Sequence, residues 1–285
     1  ADVSDVTYMD GRIADKAIET LQKLQNTSEA FFLAVGFHKP HLPFNAPGKY
    51  WDLYDNKNIP LAQNPFRSKK SPSASLNNYE ELRSYYGIPK NGSIPDSLAQ
   101  KLIHGYFACV SYVDAQIGKV LDELENIGLE KNTIVVLWGD HGWHLGENAL
   151  WAKNSSYMPS LKVPLIVKIP GNQGDIRQTG LVESVDIYPT LCDLVGLDKP
   201  FQLQGKSFAS LLDNPGQNGK EEIFCRAGKP GLRGDETIIT KTYSYTEFYD
   251  STGHSYDRML FDLNADPLEN VNIAVLPENN EVMLG

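Results

Sequence analysis

Two short stretches of the chain concentrate side chains able to carry charge, move protons or hold a metal. His38–Phe44 reads HKPHLPF and Asp140–Glu147 reads DHGWHLGE. Each contains an H-x-x-H pair, and the second adds the carboxylates of Asp140 and Glu147. The second stretch lies within Trp138–Lys153, sixteen residues that hold two histidines, two carboxylates, three tryptophans, three glycines and a lysine. Four imidazoles suit zinc, which favours nitrogen ligands. Carboxylate oxygens suit calcium. A lysine beside them suits the stabilisation of an anion. The bland alternative is that Asp140 caps a turn and the histidines are hydrogen-bonded packing partners.

What must position these residues is legible around them. Phe31–Phe37 (FFLAVGF) and Thr133–Trp138 are short apolar runs, each followed at once by one of the clusters, and Lys162–Ile169 is a third. They read as strands buried on both faces, as in a parallel sheet. In open parallel sheets ligands sit beyond the carboxyl ends of the strands, so both clusters are expected on one rim. Asp15–Gln25 puts Ala17, Ile18, Leu21 and Leu24 at helical spacing. Ser97–Asn126 is the strongest helical signal, with Ser97 as N-cap and Gly128 as its stop. Ser184–Gly196 is a third helix with a proline in its first turns. Strand and helix thus alternate from Phe31 to Gly196, the pattern of parallel α/β layers. Residues 45–96 form a long loop excursion, and from Glu221 short strands suggest a small antiparallel sheet. The expected division is 1–220 and 221–285, with a break near Leu212–Gly219.

Composition narrows the function. With 285 residues, 41% hydrophobic and 22% charged, the chain is an ordinary globular α/β size. A net charge of −10 argues against nucleic acid or an anionic membrane as partner. No apolar run approaches the ~20 residues of a membrane span. The opening ADVSDVTYMDGR has no signal-peptide pattern and no initiator methionine, which reads as a processed product or an excised piece. Cys109, Cys192 and Cys225 form neither a disulfide framework nor a C-x-x-C site. Sequons at Asn26, Asn91 and Asn154 are about what chance supplies, and Arg67–Lys70 (RSKK) reads as a solvated charge cluster.

FFLAVGFHKPHLPF, SYVDAQIGKVLDEL, TIVVLWGDHGWHLGENALWAK, VPLIV, LVESVDIYPTLCDLVGL and LFDLNADPLENVN occur in that order. In this the chain resembles the sulfatases of the alkaline-phosphatase superfamily, with the iduronate-2-sulfatase type and its bacterial relatives the nearest likeness. The resemblance implies an alkaline-phosphatase-like α/β fold and sulfate-ester hydrolysis on a sulfated sugar acid or glycosaminoglycan-type saccharide. It implies one divalent cation, calcium, held by Asp140 and His141. It further implies that His41 and Lys153 contact sulfate oxygens as catalytic, substrate-binding groups. Trp143 and Trp151 either line a sugar subsite or pack its wall. Many relatives read L-G-E-H where this chain has Asn148, which removes the substrate contact given to that histidine.

No cysteine or serine stands in C/S-x-P-x-R, the motif matured to the formylglycine nucleophile, and no adjacent Asp-Asp pair occurs. The expectation is therefore a C-terminal portion of a sulfatase whose N-terminal part, with the formylglycine, is missing. Such a chain is expected to be inactive alone and to partner an N-terminal sulfatase segment or a second chain. The family resemblance suggests a periplasmic, secreted or lysosomal setting. Two rivals remain at this level: a zinc hydrolase using His38, His41, His141 and His144, and a non-catalytic remnant that binds sulfate.

Overall fold

The computed structural model describes residues 2–284 except 28, 78, 173, 215 and 229–233. The last residue of the Asn26 sequon and residue 215 of the expected break lie outside the described residues. The chain divides into two compact units. One comprises Ala1–Gln63, Glu80–Leu137 and Ile166–Asn172; the other comprises Asn64–Tyr79, Trp138–Leu165 and Gln173–Gly285.

The first unit is organised by α1 (Met9–Leu24) and α2 (Asp96–Asn126). In α1 the buried Ala14, Ala17 and Leu21 follow the 3–4 spacing of a helix with one apolar face. The helix starts a turn and a half before its sequence signal, because Gly11 and Asp10 are buried for packing and hydrogen bonding, which hydrophobic periodicity does not register. A β-carbon on Gly11 would stand 2.3 Å from the Asp5 carbonyl oxygen, so only glycine allows this approach. The α2 residue Tyr112 spans the gap. Its hydroxyl accepts from the Gly11 amide at 2.7 Å and donates to the Asp5 carbonyl at 2.9 Å. Ala46, Tyr50, Ala108, Cys109 and Tyr112 form the surrounding core. At its far end α2 is stopped by Gly128, whose φ of 76° is left-handed.

The expectation of a mostly parallel sheet flanked by helices is overturned. Among the described residues Phe31–Phe37 joins no strand: its residues alternate between half-buried and exposed, and Phe32 is 83% exposed. A continuous apolar run cannot by itself distinguish a doubly buried strand from extended chain with one open face. β1 (Val135–Trp138) does form, paired with β4 (Leu165–Lys168) in a two-stranded sheet. Neither strand is buried on both faces, since Trp138 is 48% and Ile166 59% exposed.

The second unit contains two antiparallel sheets. β2 (His144–Leu145) and β3 (Trp151–Ala152) make a short hairpin, with His144 opposite Ala152. β5 (Glu222–Gly228), β6 (Gly234–Thr240), β7 (Tyr243–Tyr249) and β8 (Ser255–Asp262) form a meander in sequence order. Alternate β7 residues are buried, as period-2 geometry requires of a sheet with one covered face. Phe248, Met259 and Phe261 of this sheet pack with Leu150, just before β3, and with Tyr157, after the hairpin. α3 (Ile187–Val195) completes the unit, ended by the left-handed Gly196.

Tyr112→Phe removes one hydroxyl and leaves both the Gly11 amide and the Asp5 carbonyl without their buried partner. Urea unfolding should show a loss of about 1–3 kcal/mol. A loss below about 0.5 kcal/mol would show that this bridge does not hold α1 to α2.

Candidate functional site

In the first unit the HKPHLPF loop is fastened to α1. The buried Asp10 carboxylate accepts from the His38 amide at 2.9 Å and from the Lys39 amide at 2.8 Å. Lys39 turns inward, donating from Nζ to the carbonyls of His41 and Pro43. Burial pushes its pKa down, with Cys109 and Asp10 opposing the shift. Lys39 therefore shapes the loop. The rings of His38 and His41 lie 4.9 Å apart. His41 donates from Nδ1 to the Leu42 carbonyl at 2.7 Å, while its Nε2 stands 2.8 Å from Glu81 Oε1. Both ring nitrogens thus face oxygen.

In the second unit Trp138–Lys153 is an alternation of exposed chemistry and buried anchors. Gly142 sits where a β-carbon would be 2.1 Å from the Pro159 carbonyl, and its amide donates to Ser160 at 2.8 Å. Beside it, Asp140 is 78% exposed and accepts from the His141 amide at 3.0 Å. His141 donates from Nδ1 to the Gly142 carbonyl at 2.9 Å and stacks on Trp143 at 6.1 Å, 30° from parallel. The Lys153 ammonium lies over the same indole, 5.4 Å from its centre. Trp143 is therefore the residue that gathers His141 and Lys153. It was recognised in sequence only as an aromatic of undecided role.

The remaining polar residues of this stretch are structural. His144 is fully buried, donating from Nδ1 to the Glu147 carbonyl at 3.1 Å and accepting at Nε2 from Ser155 Oγ at 2.7 Å. Desolvation holds its pKa down at about 4, with the Glu147 hydrogen bond opposing that fall. Glu147 closes its own turn by accepting from the Leu145 amide at 2.6 Å. Asn148 takes the left-handed φ of 55°, and its side-chain nitrogen donates to Ser68 Oγ and to the carbonyls of Leu268 and Glu269. Arg67–Lys70 is not merely solvated. Ser68 is buried, and Lys69 exchanges backbone hydrogen bonds with Asn270 and Asn272.

The cation expected at Asp140 and His141 is not supported. Calcium takes six to eight oxygens; here one exposed carboxylate stands beside an imidazole whose Nε2 is 3.6 Å from it. Among the described residues no group of three or more His, Cys, Asp and Glu side chains is arranged to hold a metal ion. The zinc alternative fails on the same finding, and His144 has both ring nitrogens engaged inside the fold. Of the cysteines, Cys109 and Cys192 are buried, and burial pushes the Cys109 thiol up to about 12.

A sequence model of the sulfatase family matches residues 2–197, and one for the C-terminal part of N-sulphoglucosamine sulphohydrolases matches 146–284. Mouse iduronate 2-sulfatase is 34% identical over 254 residues, covering 78% of this chain and 46% of that protein. A sulfatase from Formosa agariphila is 31% identical over 276 residues, covering 95% and 51%. Among solved structures, a protein in complex with its substrate D-glucosamine-2-N,6-O-disulfate superimposes with TM-score 0.76 at 23% identity, covering 97% of this chain and 67% of that one. A phosphonate monoester hydrolase from Silicibacter pomeroyi gives 0.82 at 21%, covering 99% and 59%. At such identities the structural likeness establishes the fold alone. The reading as a C-terminal portion only is corrected, because the family match begins at residue 2 and the two models together run along almost the whole chain. The expectation of a formylglycine in a missing N-terminal part falls with it. The chain spans about half the length of the curated relatives it matches.

His144 sets a pH dependence. Its folded pKa of about 4 lies below the ordinary 6.5. Above pH 6.5 it is neutral folded or unfolded and its contribution is full. As pH falls from 6.5 to 4, the unfolded chain takes up a proton that the folded chain refuses, so stability is lost, by up to about 3 kcal/mol. Urea unfolding of the wild type and of His144→Gln at pH 7, 5.5 and 4 checks this: the stability difference between them should shrink as pH falls, a comparison in which the opposite contribution of Glu269 cancels. A difference independent of pH would assign the loss to other groups.

Proposed function

Starting from the chain's membership of the sulfatase family of sulfuric-ester hydrolases, we propose that the protein cleaves a sulfate ester on a saccharide. The narrower reading is a sulfated sugar acid of the iduronate type, supported by the likeness to mouse iduronate 2-sulfatase. The structural neighbour bound to a disulfated glucosamine supports a sulfated sugar more generally. The observation that carries the reading is the Lys153 ammonium over the Trp143 indole with His141 stacked on the same ring. A sulfated sugar offers an anion for the ammonium and an apolar ring face for the indole.

In the reaction a water oxygen is added overall to sulfur, the bond from sulfur to the sugar oxygen breaks, and that oxygen leaves with a proton as the alcohol. Negative charge on the sulfuryl oxygens and the departing oxygen needs fixed cationic donors. We assign Lys153 to a sulfate oxygen. For His41 an anion contact is proposed on its own, through Nε2, which requires that nitrogen to exchange its Glu81 contact for the anion. None of the three cysteines lies in C-x-P-x-R, and burial pushes the thiols of Cys109 and Cys225 up, away from the reactive thiolate. The 285-residue chain alone is accordingly proposed to be inactive, with a second polypeptide as its partner.

Purified chain given an aryl sulfate or a sulfated disaccharide should release no sulfate; turnover by a monodisperse monomer would defeat the proposed division of labour. In an active enzyme containing this segment, Lys153→Ala and His41→Ala should each lower kcat/KM by at least ~10²-fold. Near-wild-type turnover in either variant would remove that residue from the site.

A further inference from the structure

Three of the residues that line one pocket of the second unit carry buried acceptors that the protein does not fill. The pocket has a volume of 270 Å³ and is lined by Asn64, Asn148, Met158, Lys162, Leu268 and Glu269, among others. Asn64, Asn148 and Glu269 are exposed by only 2%, 1% and 1%. The nitrogen ends of the two amides are fixed by oxygen acceptors. Asn64 Nδ2 donates to the Leu268 carbonyl at 2.9 Å, and Asn148 Nδ2 to Ser68 Oγ at 3.0 Å and to the Leu268 and Glu269 carbonyls at 3.2 Å. Reversing either amide would set carbonyl against carbonyl, so the assignment of the oxygens follows. Asn64 Oδ1 and Asn148 Oδ1 then have no hydrogen-bond partner. Neither has Glu269 Oε1, although Oε2 of the same carboxyl accepts from the Met158 amide at 2.8 Å.

Buried polar atoms are normally satisfied, and three orphaned acceptors on residues that line one pocket call for something that offers positive charge to oxygen. Burial has pushed the Glu269 carboxyl up to about 8, with Asp266 adding to the rise and the Met158 amide opposing it, as expected of an acid that lacks a counter-charge. Glu147 and Lys162 also line the pocket. We propose that this pocket binds a compact monovalent cation, an alkali-metal ion or an ammonium group, through Asn64 Oδ1, Asn148 Oδ1 and Glu269 Oε1. The donor set is hard and oxygen-only. It carries one carboxyl, which gives up its proton to a bound cation, against two neutral amides, and this matches a single positive charge rather than the several carboxylates that gather around a divalent ion.

The test is thermal unfolding of the full chain at constant ionic strength, with tetramethylammonium chloride replaced stepwise by potassium, sodium or ammonium chloride. A compact cation should raise Tm saturably, by roughly 3 °C, while tetramethylammonium, too large for close oxygen coordination, should not. A rise with sodium or potassium identifies an alkali-ion site; a rise with ammonium alone identifies an ammonium site. Glu269→Gln and, by a different route, Asn64→Leu should each abolish the cation-dependent rise. Should neither variant fold, the wild-type comparison of compact with bulky cation still decides. Equal Tm in all four salts, or a cation-dependent rise that persists in both variants, would overturn the assignment.

Discussion

The position of the exposed chemistry in Trp138–Lys153 depends on a buried side-chain amide, that of Asn148. Its nitrogen binds Ser68 Oγ and the carbonyls of Leu268 and Glu269, and its backbone amide donates to the Asn64 carbonyl at 2.9 Å. Three segments far apart in sequence therefore meet at one residue in the turn between β2 and β3. A buried amide satisfied on one side by such partners specifies one arrangement, because any slip leaves carbonyls and amides unpaired. The same turn carries Glu147 against the Leu145 amide and His144 against Ser155, and it runs into Leu150 and Tyr157 on the covered face of the meander. With its middle held this firmly, the stretch presents Asp140 and His141 at one end and Lys153 at the other.

How much of this could be read from the chain differs by element. Helices α1 and α2 announce themselves through apolar spacing, and the meander through short β-rich runs divided by glycine and aspartate. The sulfatase family was also legible in its motifs. What was not legible depends on contacts between distant residues. Nothing local in Asn64–Lys70 says that it will pair with Leu268–Asn272, roughly two hundred positions on. The same holds for His144: its spacing from His141 suggested a ligand pair, yet strand alternation in the hairpin sends it into the interior, where desolvation makes it a neutral packing group. Phe31–Phe37 misled for a related reason, since apolar composition says nothing about whether a neighbouring strand exists.

Asn148 shows how a departure from a family pattern acquires meaning. Where relatives carry histidine after L-G-E, this chain has a residue at φ 55°, a conformation in which asparagine is among the least strained side chains. Its amide then serves the fold through Ser68 and the carbonyls of Leu268 and Glu269. The chemistry left at the surface is simple: an ammonium and an imidazole on the two neighbours of one indole. That set is the basis of the sulfate contact proposed for Lys153, and it has no metal-ligand geometry.

Native-state hydrogen exchange on the purified chain tests most directly whether buried anchors at Asn148 and Glu269 hold this stretch in place. The Asn148 amide, bonded to the Asn64 carbonyl, and the Met158 amide, bonded to the Glu269 carboxylate, are the reporters. If the anchoring is as described, both should exchange only when the second unit unfolds as a whole, with the same denaturant dependence as the central meander amides. Exchange of either amide at the rate of an open loop, independent of denaturant, would show that the turn is not anchored and that the placement of Lys153 has another origin.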